Sequence, residues 1–209
     1  DGAGREWTAR LTVATPRNAR AALIEEQPAH TPPRLRMTLA QVSPRGAAMD
    51  LIVAKATELG VWRIVPLEAE HSVRRDAAVG REGRWRRIAA EAAEQCGRRC
   101  IPEVDPTRSL ADFLGSRRAE EPLLVCDASA GAEPLPRVCE SLPAPAALAI
   151  LVGGEGGLSP DEVARATAHG GRRVALGPRL LRAETAALAA LAVAQAWLGD
   201  WDAEHPHRG

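Results

Sequence analysis

The chain has 209 residues, of which 45% are hydrophobic and only 3% aromatic, with one Phe and no Tyr. That length suits one domain with at most a small appendage, and the core must be built from Ala, Leu, Val and Ile. Lys+Arg and Asp+Glu balance at 27 each, which excludes a strongly basic, non-specific nucleic-acid binder. Any nucleic-acid contact has to come from local clusters such as Arg74–Arg75, Arg84–Arg87 and Arg98–Arg99, which also read as solvated helix faces and turns.

From the N-terminus, Glu6–Val13 alternates, with Trp7, Ala9, Leu11 and Val13 on one side, and predicts a half-buried strand. Gln27–Pro33 is a Pro-rich loop, and Arg34–Ala40 repeats the alternation with Leu35, Met37 and Leu39 inside. Residues 1–42 therefore read as a small antiparallel β unit. After Ser43–Gly46 the period changes. Met49, Ile52, Val53, Ala56 and Leu59 fall at helical spacing, Gly60 stops the helix, and Val61–Leu67 reads as a buried strand. A second helix is predicted over Glu82–Cys96 with Gly97 as its cap; Trp85, Ile88, Ala89, Ala92, Ala93 and Cys96 form its apolar stripe.

Leu123–Cys126 and Ala149–Val152 are short buried strands, and the second runs directly into Gly153–Gly154–Glu155–Gly156–Gly157. Ser159, Pro160 and Glu162 then supply an N-cap, a first-turn proline and a capping box. That helix ends at Gly170–Gly171. Val174–Leu176 is a strand, and a long Ala/Leu helix runs over Ala183–Leu198. Strands alternating with helices from residue 61 onward predict an α/β fold: a parallel sheet with helices on both faces and ligands beyond the carboxyl ends of the strands.

Two loops occupy that position. The glycine loop at 153–157 allows close backbone approach, but it lacks the Lys-Ser/Thr ending of a P-loop and the spacing of a dinucleotide fingerprint. A tight strand-to-helix turn explains it equally well. The second, Leu176–Gly177–Pro178–Arg179–Leu180–Leu181–Arg182–Ala183–Glu184–Thr185–Ala186, sets charges around an apolar pair just before a helix. By itself it reads best as an exposed ion pair with a capping role. Cysteines stand at 96, 100, 126 and 139, with no His or second Cys pair to complete a zinc site, so free thiols and no metal are expected. There is no signal-peptide pattern and no apolar run of transmembrane length, so a cytoplasmic protein without a membrane partner is expected.

Taken together, four segments are more specific. Lys55–Val61, Glu91–Arg98 with Ile101–Val104, Leu151–Ser159, and Leu180–Ala186 resemble, in order, the bacterial 16S ribosomal RNA uridine-N3 methyltransferases, members of the knotted SPOUT class. The chain has Gly154 where that family usually has Pro, His71 where it usually has Arg, and Arg45 where it often has Lys.

The resemblance implies S-adenosyl-L-methionine-dependent methylation of uridine N3 in 16S rRNA of the small subunit, by a homodimer with a C-terminal deep trefoil knot. It implies a partial PUA-like β-barrel over residues 1–42, entered part-way through, and a SPOUT methyltransferase domain over 43–209. Leu151, Val152, Gly153, Gly154, Glu155, Gly157, Leu176, Gly177, Leu180, Leu181, Arg182 and Thr185 would bind the cofactor. Arg182, Glu184 and Glu155 would be catalytic, and Lys55, Arg98 and Arg99 would contact RNA. Glu58 and Glu94 are expected to be structural. Two other readings remain: a knotted methyltransferase of another specificity (ribose 2′-O or guanine N1 of tRNA), and a non-catalytic RNA-binding assembly factor.

Overall fold

A computed structural model describes residues 2, 4–28, 33–68 and 81–201. His71, Arg74 and Arg75 lie outside the described residues.

Strands β1 (Trp7–Thr15) and β2 (Asn18–Glu26) form an antiparallel hairpin that, among the described residues, pairs with no other strand. The turn at Pro16–Arg17 joins them, and Thr15 Oγ1 accepts from the Asn18 N–H at 2.9 Å. The strand expected over Glu6–Val13 is present, but it is not half-buried: only Trp7 is partly covered, and Leu11, Leu23 and Ile24 are exposed. Alternation reports which side chains share a face, and a face is buried only when another layer lies on it. The hairpin is tethered at its base. Arg99 pairs with Glu6 at 2.5 Å and donates to the Pro28 carbonyl at 2.9 Å.

The second predicted strand has a different place from the one expected. β3 (Arg36–Val42) is not part of an antiparallel unit. It lies inside the main sheet, parallel to β4 (Arg63–Leu67) on one side and to β8 (Ala147–Val152) on the other. With β5 (Glu103–Val104), β6 (Leu123–Cys126), β7 (Glu133–Pro134) and β9 (Gly171–Ala175), the order is β5-β4-β3-β8-β6-β9-β7. Every neighbouring pair in it is parallel. The α/β unit thus starts at β3, earlier than the alternation of elements alone suggested.

Among the described residues six helices cover the sheet: α1 (Ala48–Glu58), α2 (Glu82–Cys96), α3 (Leu110–Ser116), α4 (Leu135–Ser141), α5 (Pro160–Ala168) and α6 (Ala183–Leu198). Strand alternation divides the core in two. Leu35, Met37 and Leu39, with Leu148, Ile150 and Val152, face α1, α2, α4 and α6. Ala40 and Val42, with Ala149 and Leu151, face α3 and α5. The parallel sheet with helices on both faces is as expected. Burying each such large aliphatic side chain is worth roughly 1.5–3 kcal/mol, which is how a chain so poor in aromatics still closes two cores.

Local signals hold where they are strongest. Gly97 caps α2 in the left-handed conformation (φ 74°). The Ser159–Glu162 capping box opens α5 with both of its hydrogen bonds made. Cys96, placed on the apolar stripe of α2, is exposed instead, because the last turn overhangs the packed part of the helix. No helix among the described residues is long and apolar enough to cross a membrane.

Candidate active site

Strands β6, β8 and β9 lie side by side and point the same way, so their carboxyl ends release three chain segments at one edge of the sheet. The segments are 127–129, 153–157 and 176–182. Together they enclose a cleft of about 490 Å³, within the usual range for a small-molecule site. The two motif loops, far apart in sequence, are therefore neighbours. Of the residues expected to bind a cofactor, Val152, Gly153, Gly154, Glu155, Gly157, Leu176, Gly177, Leu180, Leu181 and Arg182 line the cleft. Leu151 and Thr185 do not. Leu151 is one residue from Val152, so the period of two turns it to the opposite face, where it is fully buried.

The glycine loop is folded tightly on itself. The Gly157 N–H donates to the Gly154 carbonyl at 3.0 Å, and Gly157 has φ 75°. A Cβ on Gly153 would come within 2.3 Å of the Gly157 carbonyl carbon and 2.6 Å of the Leu158 nitrogen. That space does not exist, so glycine is required at 153 by close approach of the backbone.

Among the candidate catalytic groups, Arg182 is exposed on the cleft wall, at the N-cap position of α6, where its side chain caps nothing. Glu155 lies on the rim, 3.9 Å from the guanidinium of Arg45, with both side chains exposed. Glu184, in the first turn of α6, does not line the cleft. Of the residues expected to meet RNA, Lys55 is paired with Glu58 at 2.8 Å. Arg98 donates to the Thr57 carbonyl at 2.7 Å, closing the C-terminus of α1, and burial holds its guanidinium below the usual arginine range. Arg99 is the hairpin tether described above. None of the three lines the cleft.

The third wall, Cys126–Asp127–Ala128–Ser129, and the rim residue Arg179 were not anticipated. Asp127 fixes this wall. Its Oδ2 accepts from Arg173 Nε at 2.7 Å and from the Ser129 hydroxyl at 2.8 Å, while its Oδ1 accepts from the Ser129 N–H at 2.9 Å. Burial alone would raise the Asp127 carboxyl, but the Ser129 and Arg173 donors outweigh it and hold the group below the ordinary value of 3.8. Because the folded-state pKa is depressed, this network stabilises the fold above the unfolded-state value and loses its contribution as pH falls through the folded one. Asp127→Asn is therefore expected to cost about 1.5–3 kcal/mol at neutral pH in urea unfolding, the usual worth of hydrogen bonds to a charged group. The difference from the parent chain should vanish in strong acid. Beside it, burial pushes the Cys126 thiol up to about 12, so Cys126 presents a neutral, unreactive surface to the cleft. Among the described residues no group of three His, Cys, Asp or Glu side chains is placed to hold a metal ion.

A parallel α/β sheet with a glycine-lined cleft at three adjacent strand ends is the arrangement at which α/β proteins take up small ligands. Residues 31–195 match the RNA methyltransferase domain family, and the chain belongs to that family. It is 33% identical over 199 residues to the ribosomal RNA small subunit methyltransferase E of Synechocystis sp., covering 95% of this chain and 65% of that protein. It is 35% identical over 164 residues to the enzyme of the same name from Bacillus subtilis, covering 75% of this chain and 64% of that protein. The chain thus spans a little under two thirds of the length of these relatives. The crystal structure of a ribosomal RNA small subunit methyltransferase E from Neisseria gonorrhoeae bound to S-adenosyl methionine superimposes with a TM-score of 0.86 at 35% identity. The match covers 96% of this chain and 82% of that one.

Proposed function

We propose that the chain carries the cofactor-binding and catalytic part of an S-adenosylmethionine-dependent methyltransferase that modifies uridine N3 in 16S rRNA of the small ribosomal subunit. The observation that carries this reading is the convergence of the glycine loop and the Leu176–Arg182 loop on one cleft. The residues present fit the cofactor. Glycines bring main-chain groups within reach of a ligand, Val152, Leu158, Leu176 and Leu181 supply apolar walls, and no phosphate-gripping lysine competes.

When bound, the cofactor supplies a methyl group on a sulfonium centre. The protein's part is to hold the uracil ring in line with it and to manage the N3 proton. Arg182 is placed to stabilise negative charge as it develops on the uracil carbonyls. Glu155 is the better candidate to accept the proton, since it lines the cleft whereas Glu184 does not. Asp127 also lines it, but both of its oxygens are engaged by Arg173 and Ser129.

The reading extends to the rest of the molecule. The deep trefoil knot is assigned to residues 151–186, supported by the insertion of β8 between β3 and β6 and by the return of α6 across β3 and β8 to α1. A homodimer is supported by Trp197, half-exposed on α6. The exposed β1–β2 hairpin is read as part of a PUA-like β-barrel that ends before β3, since β3 belongs to the α/β sheet. The relatives' names support ribosomal RNA of the small subunit as partner, and a cytoplasmic location goes with that reading.

The test is methyl transfer from labelled cofactor to small subunits that lack the modification, followed by mapping of the modified base. Label on uridine N3 is the expected result. Label on a ribose oxygen would sink the base assignment. Cofactor binding without transfer would favour an assembly factor, and calorimetry showing no binding would end the methyltransferase reading. A monomer in sedimentation at micromolar concentration would remove the dimer.

A further inference from the structure

From Leu35, just before β3, the row of side chains that faces the larger core continues with Met37, Leu39 and then Gln41 of the strand. An aliphatic side chain is the expected continuation, yet Gln41 is fully buried. Burying a carboxamide is unfavourable unless its polar atoms find partners. Here the partners are specific. Nε2 donates to the carbonyl of Val42 at 2.8 Å and to the carbonyl of Gly153 at 3.0 Å. Two carbonyl acceptors fix the orientation of the amide, since the oxygen facing them would be repelled. Oε1 has no hydrogen-bond partner among the described residues, so the contacts of the side chain's polar end with the described residues are those of its Nε2 donor.

The position explains the use. The backbone register of β3 with β8 ends at Gln41 and Val152. Gly153 is the next residue, the first of the glycine loop. Gln41 thus adds a side-chain hydrogen bond just beyond the last strand pair, at the root of the segment that lines the cleft. The far end of the same loop is tied by the Ser159–Glu162 capping box. Between those two ties, Glu155, Gly156 and Gly157 are exposed.

We propose that Gln41, which does not itself line the cleft, is a positioning residue for the cofactor loop: its hydrogen bond to the Gly153 carbonyl sets the loop in its binding-ready conformation. The proposal rests on the methyltransferase reading above, in which that loop binds S-adenosylmethionine. It predicts that stability and affinity separate. Gln41→Leu continues the aliphatic row and removes a buried, half-satisfied amide, but it also takes a donor from the Val42 and Gly153 carbonyls; the two effects oppose, so its unfolding midpoint in urea should stay close to that of the parent chain. Its calorimetric affinity for S-adenosylmethionine should nevertheless fall by about tenfold or more, because a displaced loop no longer presents its backbone to the ligand.

Gln41→Glu gives a second readout. A buried carboxyl keeps its proton well above its ordinary pKa. The protonated form can donate to the Gly153 carbonyl and the ionised form cannot. Relative to the parent chain, its affinity should be highest near pH 6 and fall by about fivefold or more towards pH 9, as the donor is lost. Binding by Gln41→Leu within about twofold of the parent, or a Gln41→Glu profile parallel to the parent's, would overturn the positioning role. Absence of binding by the parent chain would instead remove the methyltransferase reading, and the inference with it.

Discussion

Arg182→Ala is expected to lower methyl transfer by about 10²–10³-fold, the usual loss when one donor to a developing anion is removed. The side chain is exposed on the cleft wall and caps nothing in α6, so stability should change by no more than about 0.5 kcal/mol. Cofactor affinity in calorimetry should stay close to that of the parent chain, because α6 keeps its N-terminal hydrogen bond from the Ala186 N–H to the Arg182 carbonyl, which any residue supplies. A single-turnover assay at saturating cofactor separates the two effects. Activity within a few-fold of the parent would remove Arg182 from the chemistry. Loss of binding in step with loss of rate would make it a ligand contact rather than a stabiliser of the reacting base.

The second large effect belongs to the glycine loop, and it pairs a severe variant with a mild one. In Gly153→Ala the new methyl group meets backbone atoms of Gly157 and Leu158, which have no rotamer to move into. The loop has to open. The expected cost is about 1–3 kcal/mol of stability, as for overpacking elsewhere. Cofactor affinity should fall by about 10²-fold, because a displacement of even 1 Å misaligns groups that act by position. At Gly156 nothing lies within 4 Å of the added atom, and the backbone is not left-handed there. Gly156→Ala should leave stability within about 0.5 kcal/mol of the parent, and its effect on binding should be far smaller than that of Gly153→Ala. Equal effects in the two variants would mean that loop flexibility, rather than close approach at 153, matters for binding.

Much of the fold was legible wherever the governing interactions are local. The Ser159–Glu162 capping box and the glycine at 97 are signals complete within four or five residues, and the helices they bound lie where expected. The long helix α6 announces itself by sixteen residues without a glycine or proline. α3 and α4, of seven residues each, went unread, since two turns hold too little periodicity to detect. The Ser109–Asp112 cap of α3 was nevertheless a usable cue: the Ser109 hydroxyl accepts from the Asp112 N–H at 3.0 Å. β2 was missed for a related reason. Its Asn-Ala-Arg-Ala-Ala run alternates weakly, and only the Pro16–Arg17 turn marks its start.

The glycine loop and the Leu176–Arg182 loop were both visible in the sequence, and so was their family likeness, because close backbone approach needs residue types that stand out. Three things were decided only by the tertiary structure. One is that the two loops share a single cleft, which depends on β8 and β9 flanking β6. Another is the third wall at Cys126–Ser129, whose ordinary residues acquire a role only through the Arg173–Asp127 pair across strands. The last is the place of β3. Its alternation described one strand with two faces, and those faces turned out to be covered by helices in a parallel sheet rather than half-open in a hairpin. Local chemistry along the chain sets turns, caps and strand periodicity, because those interactions reach only a few residues. Which strand lies beside which is set by burial summed over the whole domain, and no window of sequence contains that sum.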